Sequence, residues 1–288
     1  MSRLYLCLAW LLWSLAACSQ GSHYNPVDSL RVTNAEWRTD TIGGVVVKDY
    51  HFPPGTLFCS AQHLFVVELP AGTPRRLSFA YDSVPLVVSQ HALRHDAVVA
   101  VNGSYFDMER GNPICYLRIA GEEVGHNTPQ RSDSLHRKYY QYATLLLRDG
   151  KAHLAVPDSA RRWEENLADS DIMTAGPMLL WDGTVVPQRD DRTFVTRRHN
   201  RTALGLREDG TTLLVVADGR FDDFAEGLSL EELTLVLRWL GCRTAINLDG
   251  GGSSTLYVKG RGVANYPSDN HVHDHEGERP VNNAILVI

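Results

Sequence analysis

Cysteine is scarce in this chain: five in 288 residues, with Cys59, Cys115 and Cys242 in its body and none in a CxxC or metal-like spacing. Three body cysteines permit one disulfide at most, which excludes a disulfide-stapled scaffold and a zinc ribbon. Cys115 and Cys242 sit beside apolar residues, where a small buried thiol is the ordinary outcome, so no cysteine nucleophile is expected. A basic stripe is missing too. With 28 Lys and Arg against 34 Asp and Glu, the net charge of −6 is spread along the chain, which disfavours nucleic-acid binding. Beyond the N-terminal stretch there is no internal repeat and no low-complexity tract. What the chain does have is a 43% hydrophobic content, enough for the core of one large domain or two small ones.

The first residues, MSRLYLCLAWLLWSLAACSQGS, have the form of an export signal. Arg3 supplies the positive start, and residues 4–15 supply an apolar region too short to span a bilayer comfortably. The segment ends in Leu15-Ala16-Ala17-Cys18, which resembles the lipobox of bacterial lipoproteins, with Cys18 as the lipidated residue. An ordinary secretory signal cleaved nearby is the alternative. On the lipoprotein reading, residues 1–17 are the signal peptide and residues 18–30 a polar, turn-rich tether. The body is then exported and held by its lipid anchor on a periplasmic or outer-membrane face.

Strand-like apolar runs recur at 44–47, 64–69, 97–101, 142–147, 171–175, 202–206, 212–217, 244–248 and 284–288. Helix signals are fewer, at 84–96, 158–168 and 229–241. The last is the clearest: Ser229 and Glu232 make a capping box, Leu233, Leu237 and Leu240 form a stripe, and Gly241 closes the end. The expected fold is a β-rich α/β or α+β domain, a mixed sheet flanked by a few helices, with a strand–helix–strand unit at 212–248. Residues 31–95 read as a semi-independent β-rich lobe and residues 96–288 as the main domain.

Asp-Gly is the strongest short hairpin signal, and three pairs fit it: Asp149-Gly150, Asp182-Gly183 and Asp209-Gly210 each lie between two apolar runs. Asp218-Gly219 does not. It ends a strand that leads into the capped helix at 229, after which another strand runs to Asp249. The two strands of such a unit should lie parallel, placing Asp218 and Asp249 at one sheet edge, roughly 5 Å apart if the strands are adjacent and about double that with one between. Asn102 and Gly176 end two further runs in the same way, so four strand ends make a candidate site. Arg220 and Arg201 lie beside it, and a planar guanidinium suits an anion clamp.

At NGSYF (102–106), AGPML (175–179), RTALGL (201–206), ADGR (217–220), LGCRTAINLDGGGSST (240–255) and RPVNNAILVI (279–288), the chain resembles the phosphodiester glycosidase family. The motifs cover residues 98–288 in the family's order, and the 240–255 stretch is the most specific. The resemblance implies a hydrolase that releases a sugar attached through its anomeric carbon to a phosphodiester. It carries over to Asn102, Gly103, Gly176, Pro177, Arg201, Asp218, Arg220, Asn247, Asp249, Gly250, Gly251, Gly252 and Ser253. Ser104 departs from it, since the family usually has a second glycine there, and so does Tyr105, where the family usually has Phe.

Anomeric hydrolysis normally uses one carboxylate as nucleophile or base and a second acid for the leaving oxygen. A phosphate leaves as a stabilised anion, so charge neutralisation matters more than acid assistance. Asp249 is assigned as base or nucleophile and Asp218 as the second carboxylate, with their order left open. Arg220 and Arg201 are the clamp. Gly250, Gly251 and Gly252 are expected to offer backbone N–H groups to phosphate oxygens, and Ser253 and Ser254 hydroxyl donors, with Asn102, Gly103, Gly176 and Asn247 as further substrate contacts. His271, His273 and His275 share one face if extended, a pattern also ordinary in a polar loop, and no metal or cofactor is assigned. His126 is a loop residue within conceivable reach of the site, and the tyrosines at 139, 140 and 142 offer faces for a sugar ring. Two rival readings stay open: a non-catalytic lipoprotein that binds glycans or phosphoglycans, and an exopolysaccharide assembly factor.

Overall fold

The computed structural model describes residues 26–128, 138–158, 162–188 and 193–288; the expected signal peptide and Cys18 lie outside the described residues. Three sheets organise the described chain. The largest runs, in spatial order, Arg38–Ile42, Val45–Phe52, Gln62–Leu69, Thr212–Ala217, Arg201–Arg207, Cys242–Asn247, Met178–Trp181 and Thr184–Val185. A second holds Glu122–Gly125, Leu117–Ile119, Asp171–Ala175, Ala143–Arg148 and Lys151–Ala155. The third holds Gly262–Val263, Leu256–Val258, Val99–Asn102, Val281–Val287 and Leu77–Leu86. The strands are apolar because they face a shared core, to which Leu204 and Ile246, Leu145 and Met173, and Val101 and Ile285 contribute from the three sheets.

Neighbouring strands pair antiparallel throughout the described sheets, including around the strand–helix–strand unit. Thr212–Ala217 and Cys242–Asn247 both pair antiparallel with Arg201–Arg207, so they run parallel to each other with that strand between them. Ala217 lies opposite Arg201 and Asn247 opposite Ala203, which brings both strand ends out at one edge. The helix Leu230–Trp239 joins them. Ser229 accepts from the Glu232 N–H, and the Glu232 carboxylate accepts from the Ser229 N–H. Leu230, Leu233, Val236 and Leu237 are buried among Ala203, Leu213 and Val215 of the sheet. Each such leucine contributes about 1.5–3 kcal/mol by leaving water.

The N-terminal stretch is β-rich as expected, but it is not a separate lobe. Gln62–Leu69 pairs with Thr212–Ala217, and Leu77–Leu86 with Val281–Val287, so residues 31–95 complete the sheets of the body. Residues 26–30 of the expected tether are not turn-rich chain but part of a helix, while residues 18–25 lie outside the described residues. Pro26–Thr33 is helical, which suits a proline in the first turn, and Val32 is buried in the cluster that holds the helix Leu230–Trp239. The run at 84–96 divides into the end of strand Leu77–Leu86 and a short helix, Val88–Arg94. The described part of 158–168 holds a single 3-10 turn, Trp163–Asn166. Asp149-Gly150 and Asp182-Gly183 have positive φ at both residues, as a type I′ hairpin requires; at 209–210 positive φ falls on Gly210, in a slightly longer loop.

The helix Leu230–Trp239 joins the two strands that Arg201–Arg207 holds apart, and its Ser229 cap is its most local determinant. Ser229→Ala is expected to lower unfolding free energy by about 1 kcal/mol, read from the midpoint of denaturant unfolding at unchanged slope.

Candidate active site

Strands from all three sheets end together. Asn102 closes Val99–Asn102, Gly176 follows Asp171–Ala175, and Asp249 lies two residues beyond Cys242–Asn247. Chain ends buried in this way must satisfy their backbone groups locally. Asn102 Nδ2 donates to the Asp249 carbonyl at 2.7 Å, while its Oδ1 accepts from the Thr202 hydroxyl at 2.7 Å. The Tyr105 hydroxyl lies 2.8 Å from the Gly176 carbonyl and 2.9 Å from that of Leu248, and it accepts from Asn247 Nδ2 at 2.7 Å. This last contact needs a tyrosine where the family usually has Phe. Ser104, the other departure, is buried and donates its hydroxyl to the Thr174 carbonyl. Asn102, Gly176 and Asp249 are thereby brought together.

The glycine run lies under arginines. Gly251–Ser253 is one 3-10 turn. A Cβ on Gly250 would lie 2.8 Å from the Asn200 carbonyl, and one on Gly251, at φ +61°, 2.8 Å from Arg220 Nη2. On Gly252 it would meet Asp269 Oδ1 at 2.5 Å and Arg279 Nη2. Gly251 and Gly252 are required because guanidinium groups occupy the space where side chains would stand, and Gly250 because the Asn200 carbonyl does. The expected open row of N–H groups is corrected: Gly250 N–H donates to Asp249 Oδ1 and Gly251 N–H to the Asn200 carbonyl, both at 2.9 Å. Closing the tight turn uses them. The expected serine donors are likewise turned inward: Ser253 and Ser254 are buried, and the Ser254 hydroxyl meets that of Thr202 at 3.2 Å. Asn102, Gly103, Gly176, Asn247 and Gly252 are buried as well, so they build the floor from beneath rather than its surface.

Arg201 is 1% exposed, donates to the carbonyls of Leu228, Phe194 and Arg197, and stands 5.1 Å from the Phe194 ring. Burial draws its pKa down to about 10. Arg220, in the left-handed region at φ 67°, is exposed. Among the described residues neither has a carboxylate within ion-pair distance, whereas Arg279 pairs with Asp269. The surplus positive charge is registered by His199, whose pKa falls from 6.5 to about 4 through burial first and then through Arg201, Arg220 and Arg197.

Asp249 keeps part of its surface exposed. Burial lifts its carboxyl to about 6, against the opposing pull of the Ser253 hydroxyl, the Gly250 N–H and Arg279. Asp218 is placed differently from the expected second carboxylate. It is fully buried: Oδ1 accepts from Asn265 Nδ2 and from the Tyr266 N–H, both at 3.0 Å, and Oδ2 faces His63 Nδ1 at 3.1 Å. No face of it is left for a substrate. A strand end fixes where a residue's backbone lies but not how deep its side chain sits, which is why the sequence pairs the two aspartates as equals.

Partly exposed rings border the floor. Tyr140 lies tilted against the buried Tyr105 ring at 4.8 Å, and Tyr139 against Phe194 at 4.7 Å. The three loop histidines do not converge: His273 stacks on Tyr266 at 4.1 Å, the His275 ring meets the Asn265 carbonyl, and His271 is exposed. His126 pairs with Glu123 at 2.7 Å on an exposed surface. Among the described residues, the trio whose ligand atoms lie within 4.8 Å of one another is Glu123, His126 and Glu165.

A family profile described as phosphodiester glycosidase matches residues 95–288. The chain belongs to the phosphodiester glycosidase family. The human N-acetylglucosamine-1-phosphodiester alpha-N-acetylglucosaminidase is 40% identical over 200 residues, covering 63% of this chain and 36% of the human one. The Mus musculus protein of that name is 43% identical over 76 residues, 26% of this chain and 14% of its own. The matches thus span about a third or less of those relatives' length. The zebrafish enzyme's catalytic domain, auto-inhibited by its pro-peptide, shares the fold with a TM-score of 0.67 at 18% identity, covering 94% of this chain and 96% of that one. A candidate exported protein of Burkholderia pseudomallei shares it at 0.58 and 18% identity, covering 82% and 75%.

Two residues of this candidate site escape sequence reasoning. Arg279 stands at the head of the RPVNNAILVI motif, but nothing local links it to Gly252. His63 is a lone histidine inside an apolar strand, a position that ordinarily reads as core.

The Asp249 carboxyl titrates near 6 when folded, against ~3.9 in an unfolded chain. The folded state therefore holds this proton more tightly, and stability is lost as pH rises through that window. Asp249→Asn is expected to melt higher than the parent above about pH 6 and to match it near about pH 4. Thermal melts across that range check this; equal melting temperatures at alkaline pH would contradict it.

Proposed function

We propose that the protein is an exported, lipid-anchored hydrolase that cleaves between the anomeric carbon of a sugar and the oxygen of a phosphodiester, with Asp249 as its working carboxylate. The observation that carries this reading is the partly exposed Asp249 beside a glycine floor overlaid by Arg220 and Arg279, with the buried Arg201 behind it. A carboxylate able to attack C1, or to take a proton from water that does, stands next to cations suited to a phosphate. Glycosidases ordinarily add a second carboxylic acid to protonate the leaving oxygen. A departing phosphate monoester is already a stable anion, so guanidinium groups do the equivalent work by neutralising its charge. The burial of Asp218 is compatible with that chemistry.

With a pKa of about 6, Asp249 is ionised at neutral pH and ready as base or nucleophile. The rings of Tyr139, Tyr140 and Phe194 suit the apolar face of a sugar. The names of the human and mouse relatives favour an α-linked N-acetylglucosamine phosphodiester as the substrate to try first. Export is supported by the Leu15-Ala16-Ala17-Cys18 sequence and by the candidate exported relative. Among the described residues no helix is long and apolar enough to cross a membrane, so attachment would rest on Cys18.

Incubating the purified protein with a panel of sugar-1-phosphodiesters is expected to release free sugar and a phosphate monoester. Arg220→Ala should slow release by about 10²–10³-fold, the usual cost of losing one electrostatic stabiliser, and Asp249→Asn should abolish it. Binding without release across the panel would instead mark a non-catalytic phosphoglycan receptor.

A further inference from the structure

His63 is buried, titratable and without a task in the reaction above. It sits in strand Gln62–Leu69 at 6% exposure. Its Nδ1 lies 3.1 Å from Asp218 Oδ2, and its Nε2 lies 3.7 Å from Asp49 Oδ2. Asp49 in turn meets Arg38 at 2.8 Å and Arg261 at 3.2 Å. The rest of the imidazole is enclosed by rings: Phe65 at 4.3 Å, Phe224 at 5.4 Å, His51 at 5.8 Å and Tyr266 at 5.9 Å. His51 and His273 are the other titratable groups that face it. Carboxylates at ion-pair distance from both ring nitrogens favour the doubly protonated ring, because their negative charges stabilise an imidazolium between them. Burial pulls the His63 pKa down, and the flanking Asp218 and Asp49 outweigh it, holding the imidazole above its ordinary 6.5.

What Asp218 does with its other oxygen gives this arrangement its reach. Asn265 and Tyr266, both bonded to that oxygen, are the root of the segment 265–279. Asn265 also donates to the Ser254 carbonyl at 3.1 Å and accepts from the Leu256 N–H at 2.8 Å, tying the root to the end of the glycine turn. Further along, the Ser268 hydroxyl meets Asn200 Oδ1 at 3.0 Å, and the pair Asp269–Arg279 closes over Gly252. We propose that His63 is a positioning residue: an imidazolium held between Asp49 and Asp218 that fixes the segment 265–279 and so sets Arg279 over Gly252. What Arg279 then meets, a substrate phosphate, rests on the function proposed above; the brace itself does not.

A group held above its ordinary pKa keeps its proton to higher pH, so the brace is fully present below about pH 6.5 and is lost as pH rises through the His63 titration. With a sugar-1-phosphodiester as probe, KM is expected to climb on the alkaline side through one ionisation above 6.5, with kcat changing less. His63→Gln should raise KM about tenfold or more on the acid side of that limb and erase the limb, because a misplaced cation weakens substrate binding. Asp49→Asn should keep the limb but move it to lower pH, since one of the two charges holding the proton is gone. Hydrogen–deuterium exchange on the full chain gives a readout free of substrate: segment 265–279 should exchange faster in His63→Gln than in the parent, while Thr212–Ala217 does not. If the parent hydrolyses nothing but exchange behaves as stated, the brace stands and the phosphodiester reading falls. If exchange in 265–279 is unchanged in His63→Gln and the alkaline limb survives there, the brace is overturned. Should His63→Gln fail to fold, an alkaline limb unmoved by Asp49→Asn overturns it equally.

Discussion

Positive charge crowded onto a surface without side chains is the constraint from which the rest follows. Arg220 and Arg279 press on Gly251 and Gly252 at distances that no Cβ permits, and Arg201 lies behind Gly250. Arg201 has been drawn out of water onto backbone carbonyls, and His199 is forced to stay neutral nearby. A protein interior tolerates such a surplus of cations poorly unless an anion completes it. Carboxylates of the described chain answer part of it, Asp269 at Arg279 most directly. A phosphate, with several acceptor oxygens and a delocalised charge, is chemically suited to answer the remainder.

The largest sheet presents Asp249, the glycine turn, Arg201 and Arg220 from its own strand ends, and the other two sheets complete the surface, the third by leading in Arg279 and Asn102 and the second by ending at Gly176. Tyr105 is the pin of this junction. Its hydroxyl touches the strand ends at Gly176 and Leu248 and receives Asn247, tying the second sheet to the first. Asn102 ties the third sheet to Asp249 in the same manner. Burial raises the Tyr105 phenol far above its ordinary pKa, with the neighbouring Asp249 charge adding to it, so it remains a neutral hydrogen-bonding group throughout the working range. Asp249 is thus fixed by its backbone while the residue stays only partly covered.

Much of this was legible in residue order. The apolar runs located the long strands, Ser229 and Glu232 announced the one well-capped helix, and the unit from 212 to 248 has its two strands parallel with Arg201–Arg207 between them. Legibility stops where depth decides. Asp218 and Asp249 both follow a strand and precede a glycine, yet one is enclosed by Asn265, Tyr266 and His63 and the other keeps its surface. The glycines drew attention to the right turn for the wrong reason: their N–H groups serve the turn, and their missing side chains make room for Arg220 and Arg279. His63, Asp49 and Asp218 are far apart in sequence, and the sheet pairings between them appear only when the strands are laid side by side.

The central claim is that bond cleavage occurs at the sugar's anomeric carbon, with phosphate as the departing anion. Hydrolysis of an α-linked N-acetylglucosamine phosphodiester in ¹⁸O-labelled water tests it directly, with products read by mass spectrometry before the free sugar exchanges its anomeric oxygen. The account predicts the label on the sugar and none on the phosphate monoester. Label on the phosphate would mean attack at phosphorus and would contradict it.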